Sequence, residues 1–264
     1  GGIRQIQVGS GGGVIHVSTP MDTLKERFIL SGTNPLTGSG TLTKTGQGYL
    51  ELETSTNFSG HLVLAGQGGG VELRASGALP NVASITVGQN AYFIVDNQNG
   101  RGNRQFPSVH NPDRVRDAAP ITLEGGFLYY RPRNASGQTS ETFGTTTIGQ
   151  GHGMIRLEPS GQGADVTISN LVRQPADPAD PTRGGTVRLE TSTGTFGSSG
   201  NHPRLFFSQI NGVAPTNTNL IGGWAFISNA YGSPNPSYHW AGYDTTAGVK
   251  PSTYTNVGAT TFTP

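Results

Sequence analysis

The chain has 264 residues, with 17 Lys and Arg against 16 Asp and Glu for a formal net charge of +1, 41 glycines, 17 prolines and no cysteine. The near-neutral balance argues against nucleic acid as a partner, and the missing thiols exclude a disulfide framework, a Cys-based zinc site and a thiol nucleophile. Only 12% of residues are charged, against the usual value of about 25%, so solubility falls to Ser, Thr, Asn and Gln, and long exposed helices are disfavoured.

The large aliphatics and Phe make up roughly a fifth of the chain, close to the border of disorder, but a charge of +1 supplies none of the repulsion that keeps chains unfolded. A folded chain with thin side-chain packing is expected, as one elongated domain or two compact ones. No apolar run approaches the roughly 20 residues of a membrane span, so no membrane insertion by this segment is expected. No signal-peptide series is present either. With Gly1 in first place, the chain reads as a piece of something longer whose export signal lies outside it.

In chain order, apolar residues fall in short alternating runs bounded by Gly, Asn or Ser, the period-two mark of half-buried strands. QIQV (5–8) and VIHV (14–17) come first. MDTLKERF (21–28) is the one helical candidate, with Asp22 as cap, although FIL (28–30) reads equally as strand. TLTKT (41–45), YLELE (49–53), HLVLA (61–65), VELRA (71–75), ASITV (83–87) and AYFIV (91–95) follow. A polar, basic excursion occupies residues 97–118. Beyond it lie PITLEGGFLYY (120–130), TTTIG (145–149), MIRLE (154–158) and DVTIS (165–169). A Pro-rich excursion, RQPADPADPTRGG (173–185), then precedes TVRLE (186–190), RLFFS (204–208) and GWAFIS (223–228).

Equivalent positions return at a near-constant interval: Leu42, Leu62 and Ile85 are 20 and 23 residues apart, and Leu50 and Val71 are 21 apart. That is the length one coil of three short strands and three turns consumes. The fold class expected is therefore all-β, a parallel β-helix (β-solenoid) with extruded loops. An antiparallel β-sandwich is the alternative, disfavoured by the scarcity of tight Asn-Gly hairpin signals. Two segments are assigned: 1–119, holding the regular repeat and the Arg-rich loop, and 120–264, continuing as solenoid or sandwich-like structure with the Pro-rich loop.

Within residues 29–97, Gly40, Leu42, Lys44, Gly46, Gly48, Leu50, Leu52, Asn57, Phe58, Gly60, Ala78, Leu79 and Pro80 fall on one dense pattern. In these residues the chain resembles the autotransporter-associated β-strand repeat. Segments 113–130, 140–159, 220–229 and 238–244 are similar, in the same order, to stretches of very large repetitive bacterial surface proteins. The resemblance implies a passenger-like shaft outside the cell, with adhesive or structural duties and no catalytic residues to carry over. Physically, Asn57 suits a left-handed turn or a stacked amide ladder, and Phe58 suits the coil interior.

Sixteen acidic residues are scattered, and Glu51, Glu53, Glu72, Glu158 and Glu190 occupy outward strand positions where solvated faces explain them. Glu51 and Glu53 share a face and could form a carboxylate pair. Asp177 and Asp180 could clip calcium in the Pro-rich loop. The six histidines show no ligand spacing, and neither a nucleophile elbow nor a phosphate loop occurs. No cofactor and no metal is expected. The candidate ligand surface comprises Arg101, Arg104, Arg114 and Arg116 in the basic excursion, suited to acidic sugars, and the aromatics Trp224, Tyr238 and Trp240, suited to stacking on sugar faces.

The reading is a non-catalytic structural or adhesive segment at the cell surface or outside the cell. Its expected partners are copies of itself or adjoining repeats, and glycans or envelope components. The alternative is a carbohydrate-binding or carbohydrate-active β-helix.

Overall fold

The computed structural model describes residues 5–18, 27–66, 68–98, 110–133, 139–159, 163–177, 180–192, 194–198, 202–229 and 237–253. Among them there are strands and turns and no helix, hence no helix long and apolar enough to cross a membrane. Residues 21–26 of the helical candidate lie outside the described residues, and Arg27–Leu30 form a strand.

Strands β1 (Ile6–Val8), β2 (Gly13–His16) and β3 (Arg27–Leu30) open the chain. Then come β4 (Leu36–Gly38), β5 (Leu42–Thr45) and β6 (Tyr49–Leu52), followed by β7 (Asn57–Phe58), β8 (His61–Ala65) and β9 (Gly70–Leu73). Next in chain order are β10 (Ser84–Val87), β11 (Tyr92–Asp96), β12 (Ile121–Leu123), β13 (Phe127–Arg131), β14 (Thr139–Ile148) and β15 (His152–Leu157). Strand β16 (Ala164–Arg173) leads through β17 (Pro175–Asp177) and β18 (Asp180–Gly184) to β19 (Thr186–Thr191). The last are β20 (Pro203–Phe207), β21 (Ala225–Asn229), β22 (Ser237–Asp244) and β23 (Gly248–Pro251).

The chain visits its sheets in rotation. Strands β1, β4 and β7 form a three-stranded sheet; β2, β5, β8, β10, β12, β14, β16 and β20 form an eight-stranded one; and β3, β6, β9, β11, β13, β15, β19, β21, β22 and β23 form a ten-stranded one. Every pair in the first two sheets is parallel, as is every pair of the third up to β21. The antiparallel sandwich is thereby overturned: strands one circuit apart, rather than adjacent in sequence, are neighbours. Leu42, Leu62, Ile85 and Ile121 are direct register partners, as are Leu50 and Val71. Parallel pairs also join β10 to β12 and β11 to β13 across residue 119.

Alternation explains which residues fill the interior. Inward positions carry Leu42, Leu62, Ile85 and Ile121 from one sheet and Leu50, Val71, Phe93, Leu128 and Ile155 from another, all buried in one continuous cluster with Phe58. Asn57 beside it is exposed within β7 and does not take the left-handed conformation. Close stacking dictates two glycines. A Cβ on Gly60 would sit 1.9 Å from the Gly40 carbonyl oxygen, and Gly46, at φ +82°, would place one 2.2 Å from that of Val17. Lys44 points inward, where its Nζ donates to the carbonyls of Gly46 (2.7 Å) and Gly48 and so satisfies the turn from within. Burial pushes that ammonium down to about 8.

Departures from the rotation are of two kinds. The Pro-rich excursion contains an antiparallel pair, β17 with β18. At the end of the ten-stranded sheet, β22 runs antiparallel to both β21 and β23. The Tyr243 hydroxyl on β22 accepts from Phe207 N and donates to Phe207 O, both at 3.1 Å, while the two rings stack 5.7 Å apart. Backbone groups at the end of β20 thus find side-chain partners. Residues 254–264 lie outside the described residues.

Candidate functional site

The outward face of the ten-stranded sheet concentrates charge and aromatic rings. Alternation in β6, β9, β11, β13, β15 and β19 sends Tyr49 and Glu51, Glu72, Tyr92, Ile94 and Asp96, Tyr129 and Arg131, Arg156, Arg188 and Glu190 out of the coil interior. The acids were expected to be solvated there. Instead Glu51, Glu72, Asp96 and Glu190 are buried. Adjacent parallel strands lie about 4.8 Å apart, so long side chains from neighbouring strands lie across them.

Glu51 and Glu72 are register partners, an arrangement in which like charges repel. Arg27 resolves it by donating through Nη1 to both, at 2.6 Å to Glu51. Arg131 joins Glu72 (2.9 Å), Asp96 (3.5 Å) and Glu158 (2.9 Å). Arg74 lies 3.6 Å from Glu51 and 3.9 Å from both Glu72 and Asp96. Arg156 reaches Glu190 at 3.5 Å and Arg188 reaches it at 3.0 Å. The ladder thereby crosses seven strands from β3 to β19. Burial alone would raise the Glu72 carboxyl, but Arg131, Arg27 and Arg74 outweigh it and hold the group below its ordinary value. Asp96 goes the other way: burial first, then neighbouring Glu72, push it up to about 6. Glu51 is committed to this ladder through Arg27 and Arg74.

Beside the ladder runs an apolar cluster of Tyr49, Ile94, Tyr129 and Met154, against which Tyr92 and Phe127 pack. Tyr92 lies 4.8 Å from Phe127 and 5.4 Å from Tyr129, ring centre to ring centre, the latter edge to face. The Arg156 guanidinium lies 5.1 Å from the Tyr129 ring centre. Between rings and ladder lies a depression of about 320 Å³, lined by residues that include Tyr92, Tyr129, Arg131 and Glu158.

Of the described sequence-derived candidates, only Tyr238 and Trp240 are brought together. Arg101 and Arg104 lie outside the described residues. Arg116 is exposed, whereas Arg114 is 0% exposed and is withdrawn from the ligand surface. It donates to Asn97 Oδ1, to Gly77 O and to Ala75 O, the last two at 2.6 Å, so residues 110–118 are partly built into the body. Its neighbour Val115 is buried and bridges to Leu79. Trp224, 6% exposed, belongs to the core and is likewise withdrawn. Tyr238 and Trp240 are 58% and 43% exposed and, with Phe226 and His239, line a shallow hollow of about 250 Å³ on β21 and β22.

A fifth buried acid, Glu141, lies apart from the ladder. Glu141 on β14 accepts weakly from Val115 N at 3.4 Å, and its Oε2 is buried with no hydrogen-bond partner. Burial raises this carboxyl to about 9, with Asp117 and Asp113 adding to the rise against Val115 N–H and Arg114. Glu141 lies two residues before the buried Phe143 and shares its face, but a glutamate by itself signals solvent rather than burial. Among the described residues no group of three or more His, Asp or Glu is placed to hold a metal. No family model, curated protein or solved structure matches the chain.

Proposed function

We propose that this chain is a parallel β-solenoid segment of a bacterial surface or secreted protein and that its work is structural and adhesive. The observation that carries the reading is the unbroken run of parallel register pairs in the ten-stranded sheet from β3 to β21. Each circuit rests on the one before it, so length is gained by adding circuits without redesigning the core. The charge ladder supports the same reading: slipping one strand by a residue would turn Glu72 or Arg131 into the apolar interior, so the ladder penalises wrong register. A surface poor in charge and rich in Ser, Thr and Asn suits contact with other copies, with adjoining repeats and with envelope glycans. The exposed pair Tyr238 and Trp240 offers an adhesive patch.

Small-angle X-ray scattering of the purified chain tests the architecture, with an elongated rod profile expected; a compact, near-spherical particle would overturn it. Antibodies raised against the chain test the location on intact source cells. Labelling without permeabilisation is the expected outcome, and labelling only after permeabilisation would refute a surface role.

A further inference from the structure

We propose that the depression on the outward face of the ten-stranded sheet is a binding site for a neutral saccharide of one or two rings. Its volume of about 320 Å³ stands at the small end of the range of roughly 300–1,000 Å³ for small-molecule sites. The lining has the two characters a sugar requires. Tyr92, partly exposed and backed by Tyr49 and Tyr129, presents its ring to the apolar side of a pyranose. Around them stand guanidinium donors, carboxylate acceptors and phenol groups that act as both.

Charge balance selects among polar ligands. Arg27 and Arg131 are already held by Glu72, and Arg131 also by Glu158. No guanidinium here is left to demand an anion, and no carboxylate to demand a cation. A neutral polyhydroxyl ligand exploits the remaining lone pairs and N–H groups without disturbing those pairs. The site is also rigid. Glu72 and Asp96 are about 1% exposed and ion-paired, and the Tyr129 ring is wedged between Tyr92 and the Arg156 guanidinium. Binding therefore immobilises few side chains, which removes a main entropic cost of association.

The proposal uses the stacked circuits only to position the site and requires no particular location or assembly of the parent protein. A panel of neutral and acidic oligosaccharides, including oligomers of glucose, mannose and N-acetylglucosamine, is screened on an array. Hits are titrated by calorimetry at low and high salt. At least one neutral oligosaccharide is expected to bind with little salt dependence, and Tyr92→Ala is expected to weaken it at least tenfold. Backbone amide shifts in the wild-type chain provide a readout independent of any variant, and perturbation is expected around residues 68–73 and 92–96. Three results would overturn the proposal: no neutral oligosaccharide bound, binding confined to acidic sugars and lost in salt, or loss with Tyr238→Ala while Tyr92→Ala binds normally. A rod that binds no sugar refutes this site and leaves the structural reading intact, whereas a compact particle refutes that reading whatever it binds.

Discussion

Glu141 and Arg114 show how one buried polar side chain can dominate local energetics. The Glu141 carboxyl sits at about 9 in the folded chain against an ordinary 4.5, so the folded state holds a proton that the unfolded state releases between those values. Stability from this group is complete below about pH 4.5 and is lost as pH rises through about 9, with a slope of up to about 1.4 kcal/mol per pH unit. Glu141→Gln should flatten that slope and raise the melting temperature at pH 8. Urea unfolding of both proteins at pH 5, 7 and 8.5 checks it, and parallel pH profiles would refute it. Arg114 faces three acceptors, two of them backbone carbonyls. Arg114→Gln leaves at least one of them unsatisfied at a cost of about 1 to 3 kcal/mol each, so its denaturation midpoint should fall clearly. Arg116→Gln, at an exposed position, should change the midpoint little in the same assay.

At the scale of the element, each strand is two to ten residues long and none is stable alone; stability comes from the strands one circuit before and after it. Leu62 on β8 stands between Leu42 and Ile85 in register and is buried, so Leu62→Ala opens a hole shared by three circuits. Chemical denaturation of that variant should show a loss of about 2 to 5 kcal/mol. An unchanged midpoint would mean that neighbouring circuits close the gap. On the outward face of the ten-stranded sheet, outward alternation is legible for Glu51, Glu72 and Glu190, yet their burial is not. Solvation depends on which side chains lie across them, and those come from Arg27, Arg131 and Arg156, each on a different strand.

For the whole molecule, the two ends of the sheets differ. Tyr243 supplies partners for Phe207 at the end of β20, while β2 forms the first edge of the eight-stranded sheet and carries Val14 at 68% exposure. Exposed strand edges with apolar side chains and little charge recruit further strands. Self-association, if it uses the sheet edges, should therefore run through β2. Sedimentation velocity over a concentration series should show association in the wild-type chain and a shift of roughly tenfold towards monomer in Val14→Lys, because Lys on an edge strand opposes pairing. A wild-type chain that stays monomeric to millimolar concentration, or a variant that associates as before, would exclude this edge.

What the amino-acid sequence determined by itself is the strand content, the spacing of 20 and 23 residues between successive circuits from Leu42 to Ile85, and the inward set that includes Leu42, Leu50, Leu62, Val71 and Ile85. Period-two alternation and Gly spacing are local quantities, readable within a few residues of each position. Tertiary structure alone decided that Glu72 is buried among arginines, that Arg114 and Trp224 are internal, and that Glu141 keeps its proton. Each of those outcomes depends on groups brought close only when one circuit lands on another: Arg27 is 45 residues from Glu72, and Arg114 is 37 from Gly77. Local alternation sets the direction a side chain points, and only the packing of distant segments sets the medium it points into.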